Sequence, residues 1–309
     1  MILEKKGLIY CPNGEHEWEQ NTFMTPHAYN INENTIRILG GVRDNAGVSR
    51  IKYIDVSADN PKKIINISDK VSLDIGRDGT FDENGVILGD TVDVGGRLYL
   101  YYVGFQHVEK AKFYAFSGLA ISDNQGESFS RYSEVPIMDR TDEGKYGRCI
   151  HTVNYENGIF KCYYAIIHDW KYINGIPYPS YDIWYTESKD GIHFSNNDNC
   201  KCISTCGNEY RIGRPKVYKT DDGYEMFYTR DLVTKEYLPG YAVSRDGIHW
   251  ERRDDEVGLY KSESGWDSEM VCYPVRLKTS AHDYLFYGGN GMGATGVGYA
   301  KILKDKEIR

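Results

Sequence analysis

Short runs in which apolar and polar residues alternate recur along the chain, separated by turns rich in glycine, asparagine and aspartate. Residues 214–250 show it most clearly, with RPKVYKT, the turn DDG, then YEMFYTR, then PGYAVSRDGIHW. Alternation with period two marks half-buried strands, and the D-D-G step is hairpin chemistry. With the polar run ERRDDE behind it, this stretch predicts a three-strand meander and a short fourth strand. The pattern repeats upstream. CIHTVNY, the turn ENG, FKCYYAII and YDIWYTESKDGIHF form one unit, and VILGDTVDV, GG, RLYLYYVGF and SGLAISDNQGESF form another. TPHAYNI, NEN, TIRILGGVRD and SRIKYIDV supply a first unit, and MVCYPVRLK, DYLFYGGN and GVGYAKIL a last.

Three of the units end on nearly the same words, at Ser122–Arg131, Ser188–Asn196 and Ser244–Arg252. Each opens with serine, reaches Asp or Asn near a glycine, and re-enters a strand at Phe or Trp. This is turn chemistry, in which the Asx side chain bonds nearby backbone and glycine supplies the positive φ. The serines recur 66 and 56 residues apart, a spacing in the range of repeat architectures. No amphipathic helix interrupts the strands.

Five units of about four antiparallel strands predict an all-β chain folded as a five-bladed β-propeller, because radial packing hides most strand edges. Residues 1–309 are read as one domain. The last unit stops after its third strand, and the leading segment Lys6–Pro12 has strand character without a partner. It is expected to complete the fifth blade and close the ring.

Composition narrows the partners. Of 309 residues 40% are hydrophobic, enough for a large core. The balance of 37 basic to 45 acidic residues, formally −8, argues against a nucleic-acid or membrane surface. Tyrosine, with 27 copies, suits half-buried strands and surfaces that stack on sugar rings. The opening MILEKKGLIYCPNGEHEWEQ lacks the apolar stretch of a signal peptide, and no segment reaches membrane-span length, so a cytoplasmic protein is expected. Seven cysteines fit reduced thiols better than a disulfide framework. CKCISTC has no zinc spacing, so neither a metal nor a cofactor is expected.

In a propeller the loops before the first strand and after the second strand of each unit share one face. Aligning first strands on Pro26, Pro215 and Pro274, with Leu88 and Ile150 in the same places, sets Asn21, Glu83, Lys145, Tyr210 and Glu269 five positions earlier. Glu83 and Glu269 thus share a register, each with a nearby acid, Asp82 or Asp267. Second strands end in Arg43 and Asp44, in Arg230 and Asp231, and in His168 and Asp169, while Arg148, His151, Arg211 and Arg214 flank two first strands. The expected picture is a funnel with carboxylates on one side and arginines on the other, suited to acid/base chemistry on a sugar. Structural uses compete. Arginine and aspartate cap loops or pair with each other, and Trp266 or Trp170 serves equally as a sugar platform or as packing between blades.

The five-unit layout, the S-x-D-G-x-x-W segments, RPKV, FDENGV and WDSEMVCYP resemble the five-bladed propeller glycosidases, the group containing glycoside hydrolase families 32, 43, 68 and 130. The resemblance runs from about Thr22 to Leu303. It implies catalytic acids on the first strands around the channel, which fits Glu83, Glu269, Asp82 and Asp267, with Asp44 in reserve. Families 43 and 32 carry an aspartate on the first inner strand, yet TFMTPHAYN has none, and GRCIHTVNY has no glutamate. Either the carboxylates stand on other blades or the ancestral chemistry is lost. Likeness to family 130 implies phosphorolysis of a mannoside with phosphate held by arginine and histidine, for which Arg148, His151, Arg211 and Arg214 are the candidates. SDNQGESF also resembles the Asp-box of sialidases. Three expectations follow: a hydrolase or phosphorylase acting on a small-molecule or oligosaccharide substrate, an enzyme of glycan or nucleotide-sugar metabolism on the same fold, or a carbohydrate-binding propeller without catalysis.

Overall fold

The structure, a computed structural model, describes residues 1–194 and 199–303; Ser195 and Asn196, which end the second repeated segment, lie outside the described residues. The first strand, β1 (Leu3–Tyr10), stands apart in sequence from the four meanders that follow. These are β2 (Asn21–Asn32), β3 (Thr35–Arg43), β4 (Ser49–Ser57) and β5 (Ile64–Ile67); β6 (Val86–Val94), β7 (Arg97–His107), β8 (Phe113–Ser122) and β9 (Ser130–Arg131); β10 (Gly147–Glu156), β11 (Ile159–Ile173), β12 (Ile176–Ser188) and β13 (Cys200–Ile203); and β14 (Glu209–Thr220), β15 (Gly223–Leu232), β16 (Tyr237–Ser244) and β17 (Glu251–Arg252). The chain ends in β18 (Cys272–Lys278), β19 (Asp283–Gly288) and β20 (Val297–Ile302).

Each meander is antiparallel, and two of them join into one larger sheet where Gly147 and Arg148 pair parallel with Ala115 and Phe116. The last set gains its fourth strand from the N-terminus, β1 pairing antiparallel with β20 from Leu3–Ile302 to Tyr10–Val297. The pairing lies where the strand character of Lys6–Pro12 placed it, and it begins three residues earlier. First strands approach one another in the cyclic order β2, β6, β10, β14, β18 and back to β2.

Apolar side chains fill the gaps between consecutive meanders. Phe23, Ile38, Phe286 and Tyr299 pack the last set against the first, and Leu39, Ile51, Leu88 and Tyr102 pack the first against the second. Similar clusters lie between the second and third, the third and fourth, and the fourth and last. A sixth cluster, with Met24, Ile87, Cys149, Ala165 and Cys272, draws on every sheet at the centre.

Two of the repeated segments build the same turn, and the Ser122 copy is a one-residue-longer variant in which Ser122 Oγ accepts the N–H groups of Asn124 and Gly126 and Asn124 Oδ1 that of Ser128. Ser188 Oγ accepts the N–H groups of Asp190 and Gly191, and Asp190 Oδ1 accepts those of Ile192 and His193. Ser244 and Asp246 make the same set with Gly247, Ile248 and His249. Gly191 and Gly247 sit at φ 72° and 80°, where a Cβ is unfavourable, which is why both copies need glycine there. Their chemistry is consumed in folding the turn.

Candidate functional site

All five first strands carry a bulge near their midpoint. The ladder slips between Met24 and His27, Leu88 and Asp90, Ile150 and Thr152, Gly213 and Lys216, and Cys272 and Val275. Counting from the paired residues beyond each bulge, Gly89 and His151 share a place with Pro26, Pro215 and Pro274. The sequence alignment had set Leu88 and Ile150 there. Five positions earlier now stand Asn21, Asn84, Tyr146, Tyr210 and Glu269, so Glu83 and Glu269 do not share a register. The bulge also strains the backbone. Thr25, Arg214 and Tyr273, each preceding a proline, adopt φ 47°, 56° and 55°. That left-handed conformation is uncommon for non-glycine residues and costs roughly 1–3 kcal/mol. Such strain is retained where the surrounding structure, or a site, requires it.

The bulges lie at the floor of a cavity of about 280 Å³. Its wall carries Arg43 from the end of β3, Lys112 from the turn before β8, His151 from β10, and Arg211 and Arg214 from β14. Phe105, Phe113, Tyr178, Tyr181, Tyr237 and Tyr273 supply the aromatic part. Tyr178 comes from the β11–β12 hairpin, which runs on as a paired ladder to Ile173–Ile176 and brings Pro177, Tyr178 and Pro179 against the cavity.

The charges are asymmetric. Arg211 is bound to Asp231 behind it and lies over the Tyr181 ring at 5.5 Å. Burial works against the Arg211 guanidinium, but Tyr181 and Asp231 beside it more than offset this and keep it charged. Among the described residues no carboxylate pairs with Arg43, Lys112 or Arg214. Arg43 has a buried Nε without a hydrogen-bond partner. Arg214 donates to the Leu88 carbonyl at 3.1 Å and lies over the Tyr273 ring at 5.7 Å. Burial, followed by the charges of Arg214 and Lys216, lowers the His151 pKa well below the ordinary imidazole value, so the ring is neutral at pH 7. Burial likewise pushes the Cys149 thiol up to about 12 and raises Tyr181, Tyr237 and Tyr273, leaving these groups uncharged. No Asp or Glu is among the lining residues.

Four of the residues singled out from the sequence, Arg43, His151, Arg211 and Arg214, therefore come together. The others go elsewhere. Asp82 is fully buried, its carboxylate accepting Tyr102 Oη at 3.0 Å, Arg131 Nε at 2.8 Å and Thr80 Oγ1 at 3.0 Å. Asp267 repeats the device in the last sheet, accepting Lys5 Nζ at 2.7 Å and Tyr287 Oη at 2.9 Å. Each ties the loop before a first strand to an outer strand, and neither has a free face for a ligand. Asp44 folds its own loop, accepting the N–H groups of Ala46 and Val48 and the Arg50 guanidinium. Trp266 stacks on Tyr287 with centroids 5.1 Å apart, inside the cluster between the fourth meander and the last sheet. Arg148 is buried against the Asp139 carbonyl and the Tyr164 ring, away from the cavity. Glu83 accepts Gly79 N–H and Gln106 Nε2, one residue from the lining Phe105, and Glu269 is exposed beside Met270. Both glutamates stand outside the wall.

The tyrosines, Lys112 and the two phenylalanines were missed. Of these only Tyr273 carries a sequence signal, its place directly before a first-strand proline, which it shares with Thr25 and Arg214.

No protein-family model matches the chain. An uncharacterised protein of Mycobacterium tuberculosis, Rv1502, is 28% identical over 304 residues, covering 98% of this chain and 99% of its own. A 1,2-beta-oligomannan phosphorylase of Thermoanaerobacter sp. is 27% identical over 153 residues, covering 48% of this chain and 49% of its own. Among solved structures, a GH130 protein from work on glycoside hydrolases that target beta-1,2 mannosidic linkages in Candida mannan matches with a TM-score of 0.71 at 16% identity, over 99% of this chain and 95% of that one. The beta-1,2-mannobiose phosphorylase from Listeria innocua matches at 0.69 and 14%, over 100% and 98%, and a thermostable family-43 glycoside hydrolase at 0.69 and 16%, over 93% and 91%. The fold is that of the propeller glycosidases.

Proposed function

We propose that this protein is a carbohydrate-active, five-bladed propeller whose central cavity takes a small sugar bearing an anionic group, such as a phosphate or carboxylate. The blade count rests on the cyclic order of first strands and the apolar clusters between consecutive sheets. The observation that carries the ligand class is a cavity that, among the described residues, has three cations without a carboxylate partner, Arg43, Lys112 and Arg214, six aromatic rings and no lining carboxylate. Guanidinium groups hold oxyanions, and tyrosine and phenylalanine faces pack against the C–H face of a sugar. At about 280 Å³ the cavity is at the small end of ligand sites, which favours one sugar residue over a polymer chain.

Hydrolysis or phosphorolysis of a bound glycoside needs a proton donor at the leaving oxygen. Among the described residues no lining carboxylate supplies it, so a glycosidase reading draws the acid from outside the wall, with Glu83 and Glu269 as the candidates. Calorimetric titration with paired neutral and anionic sugars tests the proposal. Monosaccharide phosphates or uronates bind and the neutral parents do not, and Arg214→Ala weakens binding at least about tenfold. Equal binding of neutral and anionic partners refutes the ligand class. Turnover of a phosphorylated glycoside that falls about a hundredfold in Glu83→Gln or Glu269→Gln identifies which of the two acids acts.

A further inference from the structure

Beneath the cavity, on the propeller axis, lies a separate pocket of about 10 Å³, the room for about one water-sized sphere. Thr25, Gly89, His151, Arg214, Lys216 and Tyr273 line it. Thr25 is only 4% exposed, and its hydroxyl is buried without a hydrogen-bond partner among the described residues. Lys216 Nζ donates to the Gly89 carbonyl at 2.6 Å and to Asp90 Oδ1 at 3.0 Å, with His27 Nδ1 3.4 Å away. Asp90 is also shared by His27, at 3.0 Å, and accepts the Val153 N–H with its other oxygen. Two full cations, Arg214 and Lys216, therefore face a throat that holds one carboxylate. A net buried charge is costly unless something offsets it.

We propose that this throat is a halide site, a single monatomic anion accepting hydrogen bonds from the Thr25 hydroxyl and the Arg214 and Lys216 side chains. The pocket admits one atom of that kind and is too small for a tetrahedral oxyanion. A water molecule would satisfy Thr25 and leave the charge uncompensated. Burial lowers the Lys216 pKa, Asp90 opposes this in part, Arg214 adds weakly to it, and an anion at this point acts in the same sense as Asp90.

The test uses bromide as the probe. Crystals of the full chain soaked in sodium bromide show an anomalous peak at the bromine edge between Thr25, Arg214 and Lys216. In solution, the thermal midpoint rises saturably with sodium chloride against sodium methanesulfonate at equal ionic strength, because a ligand that binds only the folded state stabilises it. Thr25→Ser keeps the response, and Thr25→Val weakens the apparent halide affinity at least tenfold. An empty or water-filled throat in the bromide data overturns the proposal. So does an unchanged halide response in Thr25→Val. A bromide peak with no halide-dependent midpoint marks an adventitious ion only and overturns it equally. If Thr25→Val fails to fold, the anomalous map of the parent protein decides.

Discussion

Asp82 and Glu83 are adjacent in sequence and were both candidates for chemistry, and substituting each in turn separates a carboxylate that folds the chain from one that does not. Asp82→Asn removes the charge from a fully buried group that accepts three hydrogen bonds, from Tyr102, Arg131 and Thr80. Breaking a fully buried ion pair costs about 3–5 kcal/mol, because the remaining partner is left uncompensated. Arg131 is 21% exposed along its side chain and keeps a bond to the Asp74 carbonyl at 2.5 Å, so part of its charge stays solvated. The expected loss is therefore about 2–3 kcal/mol, below the full range. With an unfolding entropy of roughly 2.1 cal/mol/K per residue over a chain of this length, the thermal midpoint drops by about 3–5 °C. Glu83→Gln, at a half-buried carboxylate that accepts one backbone N–H and one side-chain amide and has no charged partner among the described residues, leaves the midpoint within 1 °C. Urea and thermal unfolding of the two variants beside the parent make the comparison. A midpoint for Asp82→Asn within 1 °C of the parent, or an equal drop for both variants, would show that the buried pair does not hold the loop.

The same reasoning gives three further expectations. Burial first, with the Lys216 charge behind it, depresses His27 to about 4 against roughly 6.5 in an unfolded chain, so on acidification the unfolded state takes the proton first; stability present above about pH 6.5 is lost as pH falls toward 4, by up to about 3 kcal/mol, and urea midpoints that are equal at pH 7.5 and 5.0 would falsify this. Arg43→Ala weakens binding of an anionic sugar and flattens its salt dependence while the melting temperature stays at the parent value, since no carboxylate pairs with that guanidinium among the described residues; a matching fall in melting temperature would instead make Arg43 part of the fold. Deleting residues 1–10 removes β1, strips Lys5 from Asp267 and bares the edge of β20, and the product is expected to be aggregated or molten by near-UV circular dichroism. A sharp, native-like spectrum from that truncation would mean that ring closure contributes little.

The meanders were legible because each strand is bounded by a turn whose residues announce themselves, as in the Ser188 and Ser244 copies. Closure by the N-terminus was legible because a lone strand needs a partner and the last unit lacked one. The register across the first strands was not. A bulge adds a residue without any mark in the sequence, and the shift it introduces at Gly89 and His151 was enough to place Glu83 in line with Glu269 when the strands do not. The role of Asp82 was hidden for another reason. Its partner Arg131 is 49 residues away on an outer strand, and the partner of Asp267 is 262 residues away at Lys5. Composition showed an excess of tyrosine but could not say that four of those rings face one cavity.

Of the described strands, β1 leaves the ribosome first and its partner β20 last. The first four sheets can assemble in the order in which they leave the ribosome, but the fifth waits until β20 has emerged. During that interval β1 is a strand without its partner. Its sequence, LEKKGLIY, puts Glu4, Lys5 and Lys6 in a row before the apolar residues. Charged side chains on an unpaired edge deter pairing with other chains, so they guard the strand while it waits. In the finished molecule Lys5 turns to Asp267 and becomes part of the clasp. The same side chain thus serves twice, first against aggregation and then as the latch of the ring, and the slowest step of assembly is expected to be the meeting of the two ends of the chain.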